Sequence, residues 1–179
     1  VQSQLIINEL NHSVKTLTDD DIIDLIQKIQ QHKRIFVYGT GRSGLMLKAF
    51  AMRLMQLGLN SFVVGETTTP AVQKGDLLIL ASASGETESV NIMAKSALNQ
   101  GIDLAIICAS NTSTLAKLQT PNILLQSGTK FTQSQVSQQP LGSLFEQMLL
   151  IIFDTVILVM SNERKDSNND MAQRHASLE

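Results

Sequence analysis

Two apolar runs in this chain end in the same way, and that shared ending limits what it can fold into. Arg34-Ile-Phe-Val-Tyr38 gives way to Gly39-Thr-Gly-Arg-Ser-Gly44 and then to a helical pattern through Leu57, closed by Gly58. Asp76-Leu-Leu-Ile-Leu-Ala81 gives way to Ser82-Ala-Ser-Gly-Glu-Thr87, followed by Val90, Met93, Ala94, Ala97 and Leu98 at helical spacing. A short apolar run bounded by small residues reads as a buried strand. Strands alternating with helices imply a parallel sheet covered on both faces. Further strands are expected at 61–64, 103–108 and 122–125. Helices are expected over 2–17, from Thr18 to about His32, over 43–57, 86–99 and about 113–119, from Ser143 to about Ser161, and over a short tail from Met171.

The expected fold is therefore α/β, with a five-stranded parallel sheet in the doubly wound, flavodoxin-like order 2-1-3-4-5 and right-handed crossovers. Residues 1–179 are read as one domain: N-terminal helices over 2–32, a sheet core over 34–125 and C-terminal helices over 141–178. In that order the crevice opens between strands one and three at their carboxyl ends. Those two strands are the ones that end in glycine- and serine-rich loops.

Such loops suit an anion. First-turn N–H groups have no partner within a helix, and the helix dipole adds partial positive charge there. Ser82, Ser84 and Thr87 are spaced to donate beside them, and Gly85 permits close backbone approach. The competing reading is an ordinary capped helix, with Ser82 or Ser84 as N-cap and Glu86 or Thr87 in the first turn. Gly39, Gly41 and Gly44 spell G-x-G-x-x-G, but Glu66 would have to serve as the ribose-binding acid, and Ser43 has no place in the dinucleotide logic. Gly-Lys-Ser/Thr is missing, so the loop is not a P-loop.

Composition narrows the ligand. The net charge of −2 offers no basic surface for nucleic acid or an anionic membrane, so a phosphate must be held locally. Each hydrogen bond to a charged partner contributes about 1.5–3 kcal/mol, so three to five suffice. The single cysteine, Cys108, lies in an apolar run and reads as a core thiol. No leader and no uninterrupted apolar run of about 18 residues is evident, which sets the expectation of a cytoplasmic protein. His12 and His32 read as surface residues and Arg53 as part of a solvent-facing ion pair. Residues 126–140 are polar and without periodicity, the best candidate for a mobile loop. The apolar helices at 43–57 and 144–160 exceed what a lone domain covers, which points to a homo-oligomer.

At these residues the chain resembles the sugar isomerase (SIS) domain family, and within it the 6-phospho-3-hexuloisomerases. The matching stretches are Gly39–Gly44, Phe50-Ala-Met-Arg-Leu-Met55, Val64-Gly-Glu-Thr-Thr-Thr-Pro70, Ser82–Thr87, Pro140-Leu-Gly-Ser-Leu-Phe-Glu146 and the tail Arg174-His-Ala-Ser-Leu-Glu179. The serine loop alone marks the superfamily; the Phe-Ala-Met-Arg-Leu-Met and Gly-Ser-Leu-Phe-Glu stretches with the His-containing tail are more specific. The resemblance implies interconversion of D-arabino-hex-3-ulose 6-phosphate and fructose 6-phosphate, downstream of formaldehyde fixation onto ribulose 5-phosphate. It implies a homotetramer with no cofactor and no metal. By position it assigns phosphate and substrate binding to Gly41, Arg42, Ser43, Ser82, Ser84, Gly85, Thr87 and Glu66. Glu146 becomes the base, and His175 assists, from its own or a neighbouring subunit. Ala81 and Ala83 stand where relatives often carry glycine. A phosphoheptose or arabinose 5-phosphate isomerase, or a phosphosugar-sensing module, are the alternatives.

Overall fold

The computed structural model describes residues 1–129, 136–164 and 167–178. Five parallel strands, β1 (Arg34–Tyr38), β2 (Asn60–Val63), β3 (Leu77–Ser82), β4 (Asp103–Cys108) and β5 (Ile123–Leu124), form one sheet in the order β2-β1-β3-β4-β5. This is the expected doubly wound topology, with the order reversing between β1 and β3. The helices are α1 (Gln2–Val14), α2 (Asp19–Gln30), α3 (Gly41–Gln56), α4 (Glu88–Asn99), α5 (Thr114–Leu118), α6 (Ser143–Asn162) and α7 (Ser167–Gln173).

Alternation along the strands divides the core into two layers. Ile35, Val37, Leu77, Ile79, Ala105 and Ile107 face α2, α3 and α6. Phe36, Leu78, Leu80, Leu104, Ile106 and Cys108 face α4 and α5. Both faces of β3 are therefore buried along its whole length, as its unbroken apolar run requires. The Cys108 thiol is buried and donates to the Ser110 carbonyl; burial pushes it up from its ordinary pKa, which suits a core role.

α3 and α6 lie side by side and point the same way. Arg42 meets Glu146 near their N-termini, Phe50 stacks on Phe153 at 4.3 Å midway, and the Arg164 guanidinium donates to the Leu57 carbonyl at the far end. Each buried phenylalanine contributes roughly 1.5–3 kcal/mol of burial, which fixes the register between the two helices. Over its 20 residues α6 is long and apolar enough to cross a membrane by composition, but ten of those residues are buried against the rest of the fold. Glu146 and Asp154 interrupt its apolar run.

Several local expectations are corrected. α3 starts at Gly41 rather than 43, and α4 at Glu88 rather than 86, because Ser82–Thr87 forms a hydrogen-bonded loop. His32 is not a free surface residue: its side chain is 9% exposed, with Nε2 2.7 Å from Asp103 and Nδ1 2.6 Å from the Lys28 carbonyl. Among the described residues Arg53 has no acid partner; it donates to Oε1 of the buried Gln56. Within the expected loop at 126–140, residues 130–135 fall outside the described residues.

Candidate active site

The two loops converge. Thr40 and Ser43 from the start of α3 line one cleft of about 200 Å³ with Ala81, Ser82, Ala83, Ser84 and Thr87 after β3, and with Leu141, Gly142 and Glu146 from the start of α6. This cleft opens at the topological switch point, where open α/β sheets place ligands.

Its polar wall is held by hydrogen bonds within the loop. Ser82 Oγ lies 2.9 Å from Thr87 Oγ1 and accepts from the Gly85 N–H, and Ser84 Oγ accepts from the Glu86 N–H. A hydroxyl that accepts from backbone still has its own hydrogen to donate, so Ser84 can face an anion as a donor. Thr87 and Thr40, the N-caps of α4 and α3, make no side-chain cap hydrogen bond. By contrast Thr18 caps α2 through a reciprocal bond with Asp21, and Ser113 caps α5. The capped-helix reading of Ser82 and Ser84 is thus set aside: Thr87 holds the N-cap position, and the hydroxyls before it order the loop.

Gly85 is also needed for its packing within the fold. Its φ is +66°, and a Cβ there would come within 2.0 Å of Ser113 Oγ. The residue lets the loop sit against the start of α5. Glu86 completes that junction by accepting from Thr114 N–H and hydroxyl, both at 2.8 Å. Those donors hold the Glu86 carboxyl below its ordinary range. The Leu115 N–H and the Asn91 amide both donate to the Gly85 carbonyl.

Glu146 faces the hydroxyl loop from the first turn of α6, and Arg42 Nε lies 3.2 Å from its Oε1. Arg42 is mostly exposed and Glu146 largely covered, so the cation approaches the carboxylate from the solvent side. Gly41 turns the chain into α3 with φ +54°. Glu66 is not brought to this cleft. It lines a neighbouring hollow of about 250 Å³ with Gly39, Gly44 and Lys48, on the β2 side of α3.

His175 is farther away. Arg174, beside it, donates to the Gln56 carbonyl at the C-terminal end of α3, and the His175 ring is exposed next to its own Ala176 carbonyl. From Arg42 to Leu57 the helix rises about 22 Å, so His175 lies by the opposite end of α3 from the Arg42–Glu146 pair. Thr40, Leu141 and Gly142 line the cleft without having been singled out. Thr40 could have been found, since it lies inside the first glycine loop. Leu141 could not, because its φ of +53° is a property of the folded turn and not of leucine. Among the described residues no cluster of His, Cys, Asp and Glu could hold a metal ion.

A hydroxyl-lined cleft at the switch point of a 2-1-3-4-5 sheet, with a carboxylate beside it, agrees with the class that the comparison defines: the SIS domain model matches residues 28–152, and the chain belongs to that family. Within it the sequence falls among the 3-hexulose-6-phosphate isomerases. It is 40% identical over 178 residues to the 3-hexulose-6-phosphate isomerase of Bacillus subtilis, covering 97% of this chain and 95% of that one. It is 36% identical over 176 residues to that of Mycobacterium gastri, covering 98% and 88%. The crystal structure of a Methanococcus jannaschii protein, for which a 3-hexulose-6-phosphate isomerase function was inferred, matches with a TM-score of 0.84 and 34% identity over 99% of each chain.

Proposed function

We propose that this chain is an isomerase interconverting D-arabino-hex-3-ulose 6-phosphate and fructose 6-phosphate, acting as one domain in a cytoplasmic homo-oligomer of four copies and needing no cofactor. The observation that carries the reading is the single cleft in which Ser43, Ser82, Ser84 and Thr87 meet Glu146. The hydroxyls and the N-termini of α3 and α4 hold the phosphate; Gly41 and Gly85 shape their turns. Glu146 takes the proton from C2, leaving a cis-enediol across C2 and C3, and returns it to C3 as the C2 carbonyl forms. Arg42 orients that carboxylate and supplies positive charge beside the developing oxyanion. A 3-ketose phosphorylated on O6 cannot close a furanose, so it arrives as an open chain.

The role of His175, moving a proton between the two oxygens, then requires a second copy of the chain. Exposed Leu45, Met52 and Met55 on α3 and Leu150 and Leu158 on α6 offer apolar surface for such packing.

The deciding assay supplies the 3-hexulose phosphate, made from formaldehyde and ribulose 5-phosphate, and follows fructose 6-phosphate. Glu146→Gln should lower turnover by orders of magnitude while phosphosugar binding persists; surviving turnover would mean another base. Turnover of arabinose 5-phosphate or a phosphoheptose in its place would shift the substrate, and binding without turnover would indicate a sensor. Mixing inactive Glu146→Gln and His175→Asn chains tests the shared site. Random assembly should restore about a quarter of the sites if each needs two copies. No recovery between chains that exchange subunits would show that His175 does not act across an interface; full turnover in His175→Asn alone would remove it from the mechanism.

A further inference from the structure

The segment leading into α6 is tied to α1, an element outside the matched residues 28–152. Glu9 Oε2 accepts from the Ser137 hydroxyl at 2.7 Å and from the Gln139 side-chain amide at 2.8 Å, and its Oε1 accepts from the Gln138 N–H at 2.8 Å. Burial works against the charge on Glu9, yet these donors outweigh it and hold the carboxyl below its ordinary value. Gln139 and Gln147 then exchange amide hydrogen bonds of 3.0 and 2.7 Å. Gln147 is the immediate neighbour of Glu146. Ser143 donates from its N–H and its hydroxyl to the Pro140 carbonyl, and the Glu146 N–H donates to the Gly142 carbonyl.

Between these anchors sits Leu141, exposed on the cleft wall with φ +53°. A non-glycine residue in that region is strained and persists only where its surroundings over-determine it. The ties on either side of Leu141 do so: Glu9 and Gln147 hold 137–139, and Ser143 holds Pro140. Since Glu146 is one turn into α6, the path of this segment decides where its carboxylate lies relative to the hydroxyl loop.

We propose that Glu9 is a positioning residue for Glu146, acting through Ser137, Gln138 and the Gln139–Gln147 amide pair, so that α1 braces the reactive end of α6. The proposal rests on the isomerase reading for its kinetic consequence, but not for its structural one. Glu9 itself does not line the cleft.

Glu9→Ala should lower kcat ten- to a hundredfold, the scale expected when a catalytic group is displaced by about 1 Å. KM and inhibition by inorganic phosphate should stay within about twofold, because the phosphate seat belongs to α3 and α4. Glu9→Gln, which retains one acceptor oxygen and a flexible amide, should recover part of the loss. Gln147→Ala breaks the same chain from the α6 side and serves if Glu9→Ala does not fold. The double variant should lose no more than the worse single one, since the residues act as one network. Hydrogen exchange on the ligand-free protein gives an independent readout. The Ser143 and Glu146 amides should exchange faster in the variants, while the Asn91 amide in α4 stays unchanged. A folded Glu9→Ala chain with kcat within twofold of the parent, or with its loss confined to KM, would overturn the proposal. If the parent shows no turnover, the functional reading fails, and the exchange comparison alone decides. Unchanged protection at Ser143 and Glu146 would then reject the brace.

Discussion

Replacing Gly85 by alanine tests how the hydroxyl loop is held. Two separate penalties follow from the coordinates. The residue has φ +66°, and placing a side chain in the left-handed region costs about 1–2 kcal/mol. The added Cβ would also lie 2.0 Å from Ser113 Oγ and 2.5 Å from Ser113 Cβ, so one element must move. Overpacking of that kind costs about 1–3 kcal/mol. Together they amount to about 2–5 kcal/mol, or a fall in Tm of roughly 5–15 °C for a chain of this size. Thermal unfolding of Gly85→Ala, Ser113→Gly and the double variant separates the two. Ser113→Gly alone should cost only a few tenths of a kcal/mol, since glycine is tolerated at an N-cap. The double variant should regain the steric share and keep the conformational one. Phosphate affinity should weaken in Gly85→Ala and recover in the pair, because Ser82 accepts directly from the Gly85 N–H. A Tm within 2 °C of the parent, or no recovery with Ser113→Gly, would refute the view that α5 seats this loop.

Two further expectations concern stability and the charge pairs. Arg34 donates to Asp76 through two nitrogens, at 2.9 and 2.6 Å, and the Asp76 side chain is 8% exposed. Arg34 is the main reason the Asp76 carboxyl sits below its ordinary pKa; burial opposes this and the Gln73 N–H assists. A lowered folded-state value means the stabilisation is present above the unfolded pKa and is lost as pH falls through the folded one. Asp76→Asn should therefore lower stability near neutral pH and flatten the acid limb of the stability curve. An unchanged acid limb by urea unfolding would show that other carboxylates control it. His32→Leu should cost roughly 1–2 kcal/mol by losing its bonds to Asp103 and the Lys28 carbonyl, measured by the same method.

What the sequence conveyed well was periodicity. Burial of β3 on both faces, the small-residue loops after β1 and β3, and the long apolar α6 all follow from local spacing, and with them the strand order and the place of the cleft. Side-chain partners across long separations were not readable. Arg42 and Glu146 were each singled out, but their pairing depends on α3 and α6 lying in register, which Phe50 on Phe153 helps to set. His32 looks like any polar helix end until β4 brings Asp103 beneath it. Glu9 is one acid on an amphipathic helix, and nothing near it in the chain hints at Ser137 or Gln139. Glu66 and His175 were placed by resemblance to motifs; the fold puts one beside the cleft and the other at the opposite end of α3.

Because α3 and α6 run alongside each other in the same sense, the molecule resembles a caliper: the Arg42–Glu146 head and the tail are kept about 22 Å apart by the length of one helix. Two such calipers laid head to tail, about a two-fold axis near mid-helix, would bring each tail over the other's head. A chain with one turn of helix inserted into both α3 and α6 would widen each caliper equally. That paired assembly could still close, whereas an insertion in α3 alone would leave both heads unmatched.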